Sequence, residues 1–376
     1  MKFTLIKTSK KSKARRGEII TPHGKIQTPF FMPIATKAAI KTLEAKEIRE
    51  LAPDVILSNT YHLYIQPGHK LIKHAGGLHQ FMNWSGPILT DSGGYQVFSL
   101  SDFRKITEQG AIFRVDEDGG AKHLLTPEKA VEIQLDLGVD LLMVLDECPP
   151  YPCEKKYAEK SLELTTRWAT RCKKYFDSKV KSKKLKGKNK ETQGLFGIVQ
   201  GSVYKDLRIK SAKQLEALDF DGYAIGGVAV GEPREKMKDI LSWTVPILPL
   251  DKPRYLMGLG RPEEIVAAVK SGIDMFDCVI PTREGRHGRL FVWKNNNLSG
   301  KFYETINIEN TKFKNDFRSI NKNSKIPALR EYSRAYLHHL FKTNEVLALR
   351  LATLNNLEFY LDLMKKIQEQ IKTGKI

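Results

Sequence analysis

At 376 residues the chain is long enough for two average domains or for one α/β barrel with insertions. Its 41% hydrophobic residues exclude a disordered chain, and 62 Lys and Arg against 43 Asp and Glu give a formal net charge of +19. Four cysteines without a CxxC pair exclude a disulfide scaffold, and no apolar window approaches the length of about 18 residues that a membrane span needs. Since the N-terminal segment has no hydrophobic leader pattern, we expect a cytoplasmic protein.

The excess of positive charge predicts a polyanionic partner, with nucleic acid the leading candidate, because each cation that meets a phosphate releases condensed counterions. The alternative is a lysine-rich surface that only keeps the protein soluble. The densest run of lysines, KVKSKKLKGKNK at 179–190, is predicted to be an exposed loop within the fold. This loop either binds phosphate groups of the partner or, as its composition favours, is a solvated insertion without a binding role.

In chain order, short apolar runs that end in Gly or a polar residue alternate with stretches of helical periodicity. The predicted strands lie at 88–94, 141–147, 194–201, 223–232, 254–260 and 274–282. The clearest predicted helices lie at 126–138, 159–176 and 261–272. Such alternation is typical of parallel strands joined by helical crossovers, either doubly wound or closed as a (β/α)8 barrel.

Polar residues at the strand ends favour the barrel, because they come from five different runs and would converge at its C-terminal face: Asp91, Asp146, Gln200, Gly227 and Asp277. We therefore predict an α/β fold with a TIM barrel over residues 1–294. From residue 295 the sequence turns to Asn, Lys and short hydrophobic alternation. This change predicts a small C-terminal subdomain with closing helices over 295–376, packed on the barrel.

Asp91 and Asp277 form a pair of strand-end carboxylates. A double displacement at the anomeric carbon of a sugar needs such a pair: one carboxylate attacks C1′, and the other exchanges protons with the leaving group and the incoming nucleophile. Carboxylates at a barrel mouth also bind metals or cap helices, so two aspartates alone leave the chemistry open.

Residues suited to a flat purine accompany these aspartates. Gly93 and Gly94 permit a sharp turn, and Tyr95 either stacks on a base or is a core tyrosine behind that turn. A carboxylate accepts from ring N–H and amino groups, an amide both donates and accepts, and glycines bare the backbone. The residues that provide these groups are Asp146, Gln200, Gly226 and Gly227.

Two further segments are candidates for phosphate contact. PTREGRHGRL, just beyond Asp277, is either a substrate contact or an exposed basic loop, and carries Arg283, Arg286 and Arg289. GLGRPEE at 258–264 is either a Gly-rich turn that offers N–H groups to phosphate or a plain βα turn. Ordinary packing or surface roles are predicted for Met257, His338 and His339.

Six motifs, in this order, closely resemble those of the bacterial tRNA-guanine transglycosylase family: TDSGGYQVFSL, LDECPP, GIVQGS, AIGGVAVGEP, YLMGLG and DMFDCVIPTR. The resemblance covers nearly the whole chain, from FFMPIATKAAIK through SNTYHLYIQPG to YSRAYLHHL. It implies a (β/α)8 barrel that exchanges guanine at the wobble position of GUN-anticodon tRNAs for a 7-deazaguanine on the way to queuosine. No cofactor is expected, because a ribosyl-aspartate intermediate preserves the energy of the glycosidic bond.

The resemblance also implies roles for individual residues. Asp277 is implied to be the nucleophile, and Asp91 the proton donor and acceptor. The implied base-binding positions are Ser92, Gly93, Gly94, Tyr95, Asp146, Gln200, Gly226, Gly227, Val228 and Met257. The positions implied to touch RNA are Gly258, Leu259, Gly260, Arg261, Pro262, Glu263 and Glu264, and Thr282, Arg283, Glu284, Gly285 and Arg286.

One departure from the family is large. The family holds a structural zinc through a CxCxxC run and a later His, and the four matching positions here are Ser324, Ile326, Leu329 and Asn355. Zinc needs thiolate or imidazole donors, so we expect no zinc, with Ile326 and Leu329 replacing it by apolar packing.

A smaller departure is Val228, where relatives usually have Leu. The smaller side chain enlarges the base pocket, so the chain could also accept the bulkier base queuine. Val230, in contrast, resembles the residue found in family members that select 7-aminomethyl-7-deazaguanine. The expected partners are the tRNA anticodon arm, the deazaguanine base and a second copy of the chain, since the family tends to dimerise.

Two alternatives remain. One is a noncatalytic RNA-binding partner subunit, as occurs in the eukaryotic branch of the family, against which the retention of Asp91 and Asp277 speaks. The other is the same chemistry on another polynucleotide such as DNA, which competition between tRNA and DNA would decide.

Overall fold

The computed structural model describes residues 1–100, 104–115, 119–184, 192–228 and 230–376. Its strands are β1 Lys2–Thr8, β2 Arg15–Thr21, β3 Gly24–Thr28, β4 Phe30–Met32, β5 Ile56–Ser58, β6 Ile88–Thr90, β7 Arg104–Ile106, β8 Ala111–Val115, β9 Ala121–Leu125, β10 Leu141–Met143, β11 Gly194–Val199, β12 Gly222–Ile225, β13 Arg254–Leu256, β14 Met275–Asp277, β15 Arg289–Trp293 and β16 Tyr303–Asn307. Its helices are α1 Ala45–Leu51, α2 Thr60–Ile65, α3 His69–His74, α4 Leu78–Phe81, α5 Gly94–Leu100, α6 Pro127–Leu137, α7 Lys155–Lys184, α8 Lys205–Glu216, α9 Lys236–Thr244, α10 Pro262–Lys270, α11 Ile280–Arg286, α12 Pro327–Glu331, α13 Arg334–Lys342 and α14 Val346–Lys372.

Eight parallel strands form the central sheet, in the spatial order β4, β14, β13, β12, β11, β10, β6, β5. The two ends of this sheet meet at Leu57 of β5, which donates its N–H to the Pro33 carbonyl at 2.9 Å and accepts from the Ala35 N–H at 2.6 Å. Successive strands of the chain are therefore neighbours all the way round, and the predicted (β/α)8 barrel is confirmed.

The barrel strands are short and buried on both faces. Every residue of β10 and β11 is buried, which is why these strands are unbroken apolar runs in the sequence. The helices between them carry ordinary end signals. In α6, Thr126 accepts from the Lys129 N–H, Pro127 follows, and Gly138 ends the helix in the left-handed conformation, so the helix predicted at 126–138 is confirmed.

The helix α7 is longer than predicted. It runs from Lys155 to Lys184, so the prediction of a loop is wrong for residues 179–184, and residues 185–190 of that prediction lie outside the described ranges. The physical reason is that lysine is a good helix former, and the run contains no Pro or Gly before Gly187.

The antiparallel sheet β1–β2–β3 lies at the N-terminal end of the barrel strands. Asp140, just before β10, accepts from the His23 side chain in the β2–β3 turn at 2.9 Å and from the Ile88 N–H at 2.9 Å. Arg15 of β2 donates from Nε to Asp274, just before β14, at 3.0 Å. These contacts close the bottom of the barrel, which leaves the opposite face for ligands.

After β14 the chain returns over the outside of the barrel. The helix α14 packs against β4 and against α1, α10 and α11, so it lies in the outer layer over β4. In α13, His338 is buried with Nδ1 2.8 Å from the Ile308 carbonyl, whereas His339 is exposed, which matches the packing and surface roles predicted for them. Among the helices of the described ranges, none has the length and apolar character to cross a membrane.

Candidate active site

Asp91 directly follows β6 at the C-terminal mouth of the barrel. Its Oδ1 accepts from the backbone N–H groups of Thr60 at 3.0 Å and Gly93 at 3.2 Å, and its Oδ2 accepts from the side-chain amide of Asn59. Gly93 adopts a positive φ of 80°, which a side chain would disfavour. The carboxylate is thus held by the loop after β5 and by its own turn.

Asp277 is the last residue of β14. Its Oδ1 accepts from the hydroxyl of Tyr255 on the neighbouring β13 at 2.5 Å and from the Gly258 N–H at 2.8 Å. Both bonds end on Oδ1, so Oδ2 has no hydrogen-bond donor among the described residues. A carboxylate oriented in this way has one oxygen fixed and the other available for attack.

Burial raises the pKa of both carboxyls. The pKa of Asp91 rises to about 7, mainly through desolvation and also through the charge of Asp277, although three hydrogen bonds favour its ionised form. The pKa of Asp277 is also raised by burial, against the hydrogen bonds from Tyr255 and Gly258. A carboxyl with a pKa near 7 can hold or release a proton at neutral pH, which is what a general acid and base requires.

A cluster of buried polar side chains, here called the pocket, lies beside Asp91. Asp146 accepts from Gln200 Nε2 at 2.7 Å and from Ser92 Oγ at 3.2 Å, and all three side chains are buried. Burial raises the pKa of Asp146 to about 6. Gln200 Oε1 has no hydrogen-bond partner in the described part of the chain, so it is a buried acceptor that the protein leaves unsatisfied.

Three glycines pack tightly around Asp146 and Gln200. A Cβ on Gly94 would lie 2.6 Å from the Asp146 carbonyl, one on Gly226 would lie 2.8 Å from Gln200 Nε2, and one on Gly227 would lie 2.6 Å from Gln200 Oε1. A side chain at any of these positions would displace the polar pair, so glycine there is a packing requirement.

Tyr95, Met257 and Val228 lie near the same mouth. Tyr95, in the first turn of α5, is 47% exposed, so the alternative of a core tyrosine is wrong. Met257 is half-buried and directly follows β13, where its N–H donates to the Ile225 carbonyl at 3.3 Å. Val228 is buried, three residues after the end of β12.

The segment 258–264 forms a capped βα turn. The Arg261 N–H donates to Glu264 Oε2 at 2.9 Å, so this N–H is satisfied within the protein, and the helix begins at Pro262. Leu259 and Gly260 are buried, whereas Gly258, Arg261 and Glu263 are exposed.

The segment 282–286 is helical rather than a loop, since it lies in α11. Thr282 and Gly285 are buried against the fold, and Arg286 donates to the Thr282 carbonyl at 2.9 Å. Arg283 is exposed with Glu284 3.9 Å away, and Arg289, which begins β15, is also exposed.

Sequence reasoning missed four residues that hold the site: Asn59, Thr60, Tyr255 and Arg208. The first two bind Asp91 from 32 and 31 residues away, and Tyr255 binds Asp277 from 22 residues away. Asn59 and Thr60 lie in SNTYHLYIQPG, a motif noted for its resemblance but given no role. Tyr255 is the first residue of YLMGLG, likewise a motif without a role for that residue, and Arg208 lies in none of the motifs.

The fold is a (β/α)8 barrel with two aspartates at its C-terminal mouth, and its similarity to known proteins identifies it as an enzyme of the pentosyl-transferring class. The chain belongs to the queuine tRNA-ribosyltransferase family, whose model matches residues 9–376. It is 50% identical to the queuine tRNA-ribosyltransferase of Desulforamulus reducens, over 100% of this chain and 96% of the relative. The protein of that name from Ruminiclostridium cellulolyticum is 50% identical, over 100% and 95%, and that from Bacillus licheniformis is 49% identical, over 100% and 93%.

Proposed function

We propose that the chain is a tRNA-guanine transglycosylase that exchanges guanine at the wobble position of GUN-anticodon tRNAs for a 7-deazaguanine by double displacement. Family membership supports the activity. The observation that carries the mechanism is the half-buried pair Asp91 and Asp277 at the mouth of the barrel, close enough for the charge of Asp277 to raise the pKa of Asp91.

In the first displacement, Asp277 attacks C1′ of the target nucleoside through Oδ2. The C1′–O bond forms as the C1′–N9 bond breaks, and the bonding electrons leave with guanine. Protonated Asp91 donates a proton to the departing base, and Tyr255 and the Gly258 N–H keep the nucleophile oriented through Oδ1.

In the second displacement, the incoming base attacks C1′ of the ribosyl-aspartate. Asp91, now ionised, takes the proton from the attacking nitrogen, and Asp277 leaves as a carboxylate. Two inversions at C1′ retain the configuration, and no external energy source is needed.

The pocket around Asp146 and Gln200 matches the edge of a guanine-like base. The carboxylate of Asp146 accepts from ring N–H and amino groups, and Gln200 Oε1 is a buried acceptor. Such a base must leave its stack to enter the pocket, where Tyr95 and Met257 serve as the stacking residues. We infer that the physiological base is 7-aminomethyl-7-deazaguanine. Because Val228 leaves room for a larger base, queuine is the expected competitor.

The basic surface supports tRNA as the polymer substrate. The proposed RNA contacts are the exposed parts of 258–264 and 282–286, on the side of the barrel where Asp277 lies. We further propose that two copies of the chain form a homodimer in the cytoplasm, and that residues 295–376 are an appended C-terminal subdomain with closing helices packed on the barrel.

We infer that this subdomain is built without the family's zinc. Ile326 and Leu329 are buried in the apolar core, Ser324 Oγ accepts from the Ile326 N–H at 2.9 Å, and Asn355 Nδ2 donates to the Phe291 carbonyl at 3.1 Å. These four side chains offer neither thiolate nor imidazole and do not fit zinc.

A carboxylate also helps to hold the segment that contains Ser324 and Ile326. Glu358, one turn beyond Asn355 on α14, accepts from the Lys325 N–H at 2.7 Å. We predict that purified protein contains no stoichiometric zinc and that a chelator leaves both Tm and exchange activity unchanged. One tightly bound zinc per chain, or unfolding on chelation, would contradict this.

Incorporation of labelled guanine into unmodified tRNA by the purified chain tests the function. Asp277→Asn should lower the exchange rate by roughly a thousandfold or more, because an amide is a poor nucleophile at C1′. DNA and a tRNA without the GUN anticodon are the controls for the polymer, and aminomethyl-deazaguanine and queuine are the competitors that rank the bases. Full exchange by Asp277→Asn would refute the mechanism.

The second candidate is a noncatalytic tRNA-binding partner subunit. The loss of the zinc ligands alters the C-terminal subdomain and leaves the catalytic pair of the barrel intact, so it does not distinguish the two functions. Retention of the complete Asp91 and Asp277 arrangement favours the enzyme. A pure chain that binds tRNA but exchanges guanine only when a second subunit is added would decide for the partner.

A further inference from the structure

Arg208 of α8 is a fully buried arginine whose acceptors are backbone carbonyls. Its Nε donates to Ser202 at 2.7 Å, its Nη1 to Val199 at 3.0 Å and Gly226 at 2.7 Å, and its Nη2 to Gly227 at 2.9 Å. Burial lowers the pKa of Arg208 to about 10, so the guanidinium keeps its charge at neutral pH. Four carbonyl dipoles thus solvate one buried cation.

These carbonyls lie at the mouth of the barrel. Val199 is the last residue of β11, and Gly226 and Gly227 follow the last residue of the neighbouring β12. The guanidinium therefore ties two adjacent strand ends together directly behind the pocket that contains Gln200. Its planar shape suits this task, because its five N–H donors point in fixed directions.

The four bonds also fix the orientation of two peptide planes. A trans peptide is planar, so its carbonyl and its N–H point in opposite directions. Because the carbonyls of Gly226 and Gly227 face Arg208, the N–H groups of Gly227 and Val228 face away from it. The turn is pressed against the pocket amide as well, since a Cβ on Gly227 would lie 2.6 Å from Gln200 Oε1.

We propose that Arg208 is a positioning residue for base recognition, which locks the Gly226–Val228 turn so that backbone N–H donors and the Gln200 amide meet the incoming base. The proposal rests on the transglycosylase function and assigns the buried cation to that same site. Without Arg208 the two peptide planes are free to rotate, and a carbonyl turned toward the pocket would oppose the carbonyl oxygen of a guanine-like base.

Steady-state guanine exchange into tRNA by Arg208→Lys and Arg208→Met tests the proposal. Lysine keeps the charge but, as a single point donor, cannot reach four carbonyls spread over two strand ends, and methionine keeps only the bulk. Both variants should raise the KM for guanine about tenfold or more, while the KM for tRNA and the kcat at saturating guanine stay within about threefold.

Arg254→Lys is the matched control. Arg254 is a second buried arginine that donates to backbone carbonyls, those of Leu248 and Pro249, but it begins β13 at the opposite end of the barrel. Burial lowers its pKa to about 10 as well. Arg254→Lys should therefore lower Tm as the Arg208 variants do, yet leave the KM for guanine unchanged.

Amide hydrogen exchange on the unaltered enzyme gives a readout that does not depend on the variants folding. Guanine added to the enzyme–tRNA complex should slow exchange at Gly227 and Val228. A normal KM for guanine in folded Arg208→Lys, an equal rise in KM in Arg254→Lys, or unchanged amide exchange would each overturn the proposal. Failure of the proposed function would differ from these outcomes, because the wild-type chain itself would then exchange no guanine.

Discussion

The pKa of Asp91 depends on a single side-chain donor as well as on burial. Desolvation and the charge of Asp277 raise it, whereas the N–H groups of Thr60 and Gly93 and the amide of Asn59 lower it, with a result of about 7. A hydrogen bond to the ionised carboxylate stabilises that form, so removal of one donor must raise the pKa further. Asn59 therefore tunes the pH range in which Asp91 can donate its proton.

We predict that Asn59→Ala moves the alkaline limb of the exchange rate to higher pH by about 0.5 to 1 unit, since protonated Asp91 survives to higher pH. Single-turnover release of labelled guanine from tRNA, measured from pH 5 to about 9, checks this. Asn59 also caps α2, accepting from the His62 N–H, so Thr126→Ala, which removes the cap of α6, is the control. A limb that stays in place or moves to lower pH would contradict the assignment of Asp91.

Between elements, the turn after β13 determines where the end of β14 can lie. A Cβ on Gly260 would lie 2.2 Å from Cys278 Sγ and 2.8 Å from Cys278 Cβ, and the Gly260 carbonyl accepts from the Tyr360 hydroxyl of α14 at 2.7 Å. Cys278 is buried and follows Asp277 directly. An added methyl group at this position must therefore displace the strand end that carries the proposed nucleophile.

We predict that Gly260→Ala lowers kcat at least about tenfold, because a small displacement of a reacting group is costly to the rate. Cys278→Gly in the same chain removes both atoms that the new Cβ would meet and should restore part of the loss. Rapid-quench measurement of the covalent tRNA complex checks this for the single and double variants. If the double variant recovers nothing, the contact with Cys278 is not the cause.

The elements themselves could be predicted because buried parallel strands are continuous apolar runs, and polar residues mark their ends. Asp91, Asp146, Gln200 and Asp277 were found in this way. The supporting contacts could not be predicted, since Asn59 and Tyr255 meet their aspartates only through strand pairing round the barrel. The prediction of a loop is wrong at 179–184 because a run of charge indicates exposure to solvent but not backbone conformation, and lysine also continues helices.

Over the whole molecule, Asp140 joins parts that are far apart in the sequence. Burial alone would raise its pKa, but hydrogen bonds from His23, His79 and the Ile88 N–H outweigh burial and lower it to about 2. The rings of His23 and His79 stack with centroids 3.5 Å apart. A lowered pKa stabilises the fold above the ordinary value of 3.8, and this contribution is lost as the pH falls toward 2.

We predict that Asp140→Asn lowers the free energy of unfolding by about 2 to 3 kcal/mol at pH 7, the amount that a shift of this size represents. The difference from wild type should shrink as the pH falls from about 4 to below about 2, because the wild-type carboxyl becomes protonated first in the unfolded state and then in the folded state. Urea unfolding followed by circular dichroism at several pH values measures it. A difference that is constant with pH would mean that the ionised form of Asp140 is not what stabilises the barrel.

The net charge of +19 matters for function only if part of it lies where the polymer binds. Arg283 is exposed on α11, six residues beyond Asp277, with a carboxylate 3.9 Å away on Glu284. Lys25 is exposed on β3 at the opposite end of the barrel, with a carboxylate 3.5 Å away on Glu18. Arg283 and Lys25 are alike in exposure and pairing, but they lie at opposite ends of the barrel. Variants of the two residues therefore distinguish a local RNA contact from an effect of the overall net charge.

We predict that Arg283→Ala weakens tRNA binding and reduces the slope of log Kd against log salt by about 0.7 to 0.9, the release of one condensed counterion. Lys25→Ala removes the same net charge and should leave the slope unchanged, because a cation beyond a Debye length of about 10 Å from the RNA is screened. Filter binding of tRNA at four or more salt concentrations measures both slopes. Equal slopes for both variants and the wild type would remove Arg283 from the contact. Equal reductions of the slope in both variants would mean that tRNA binding depends on the net charge of the whole molecule rather than on cations at the mouth of the barrel.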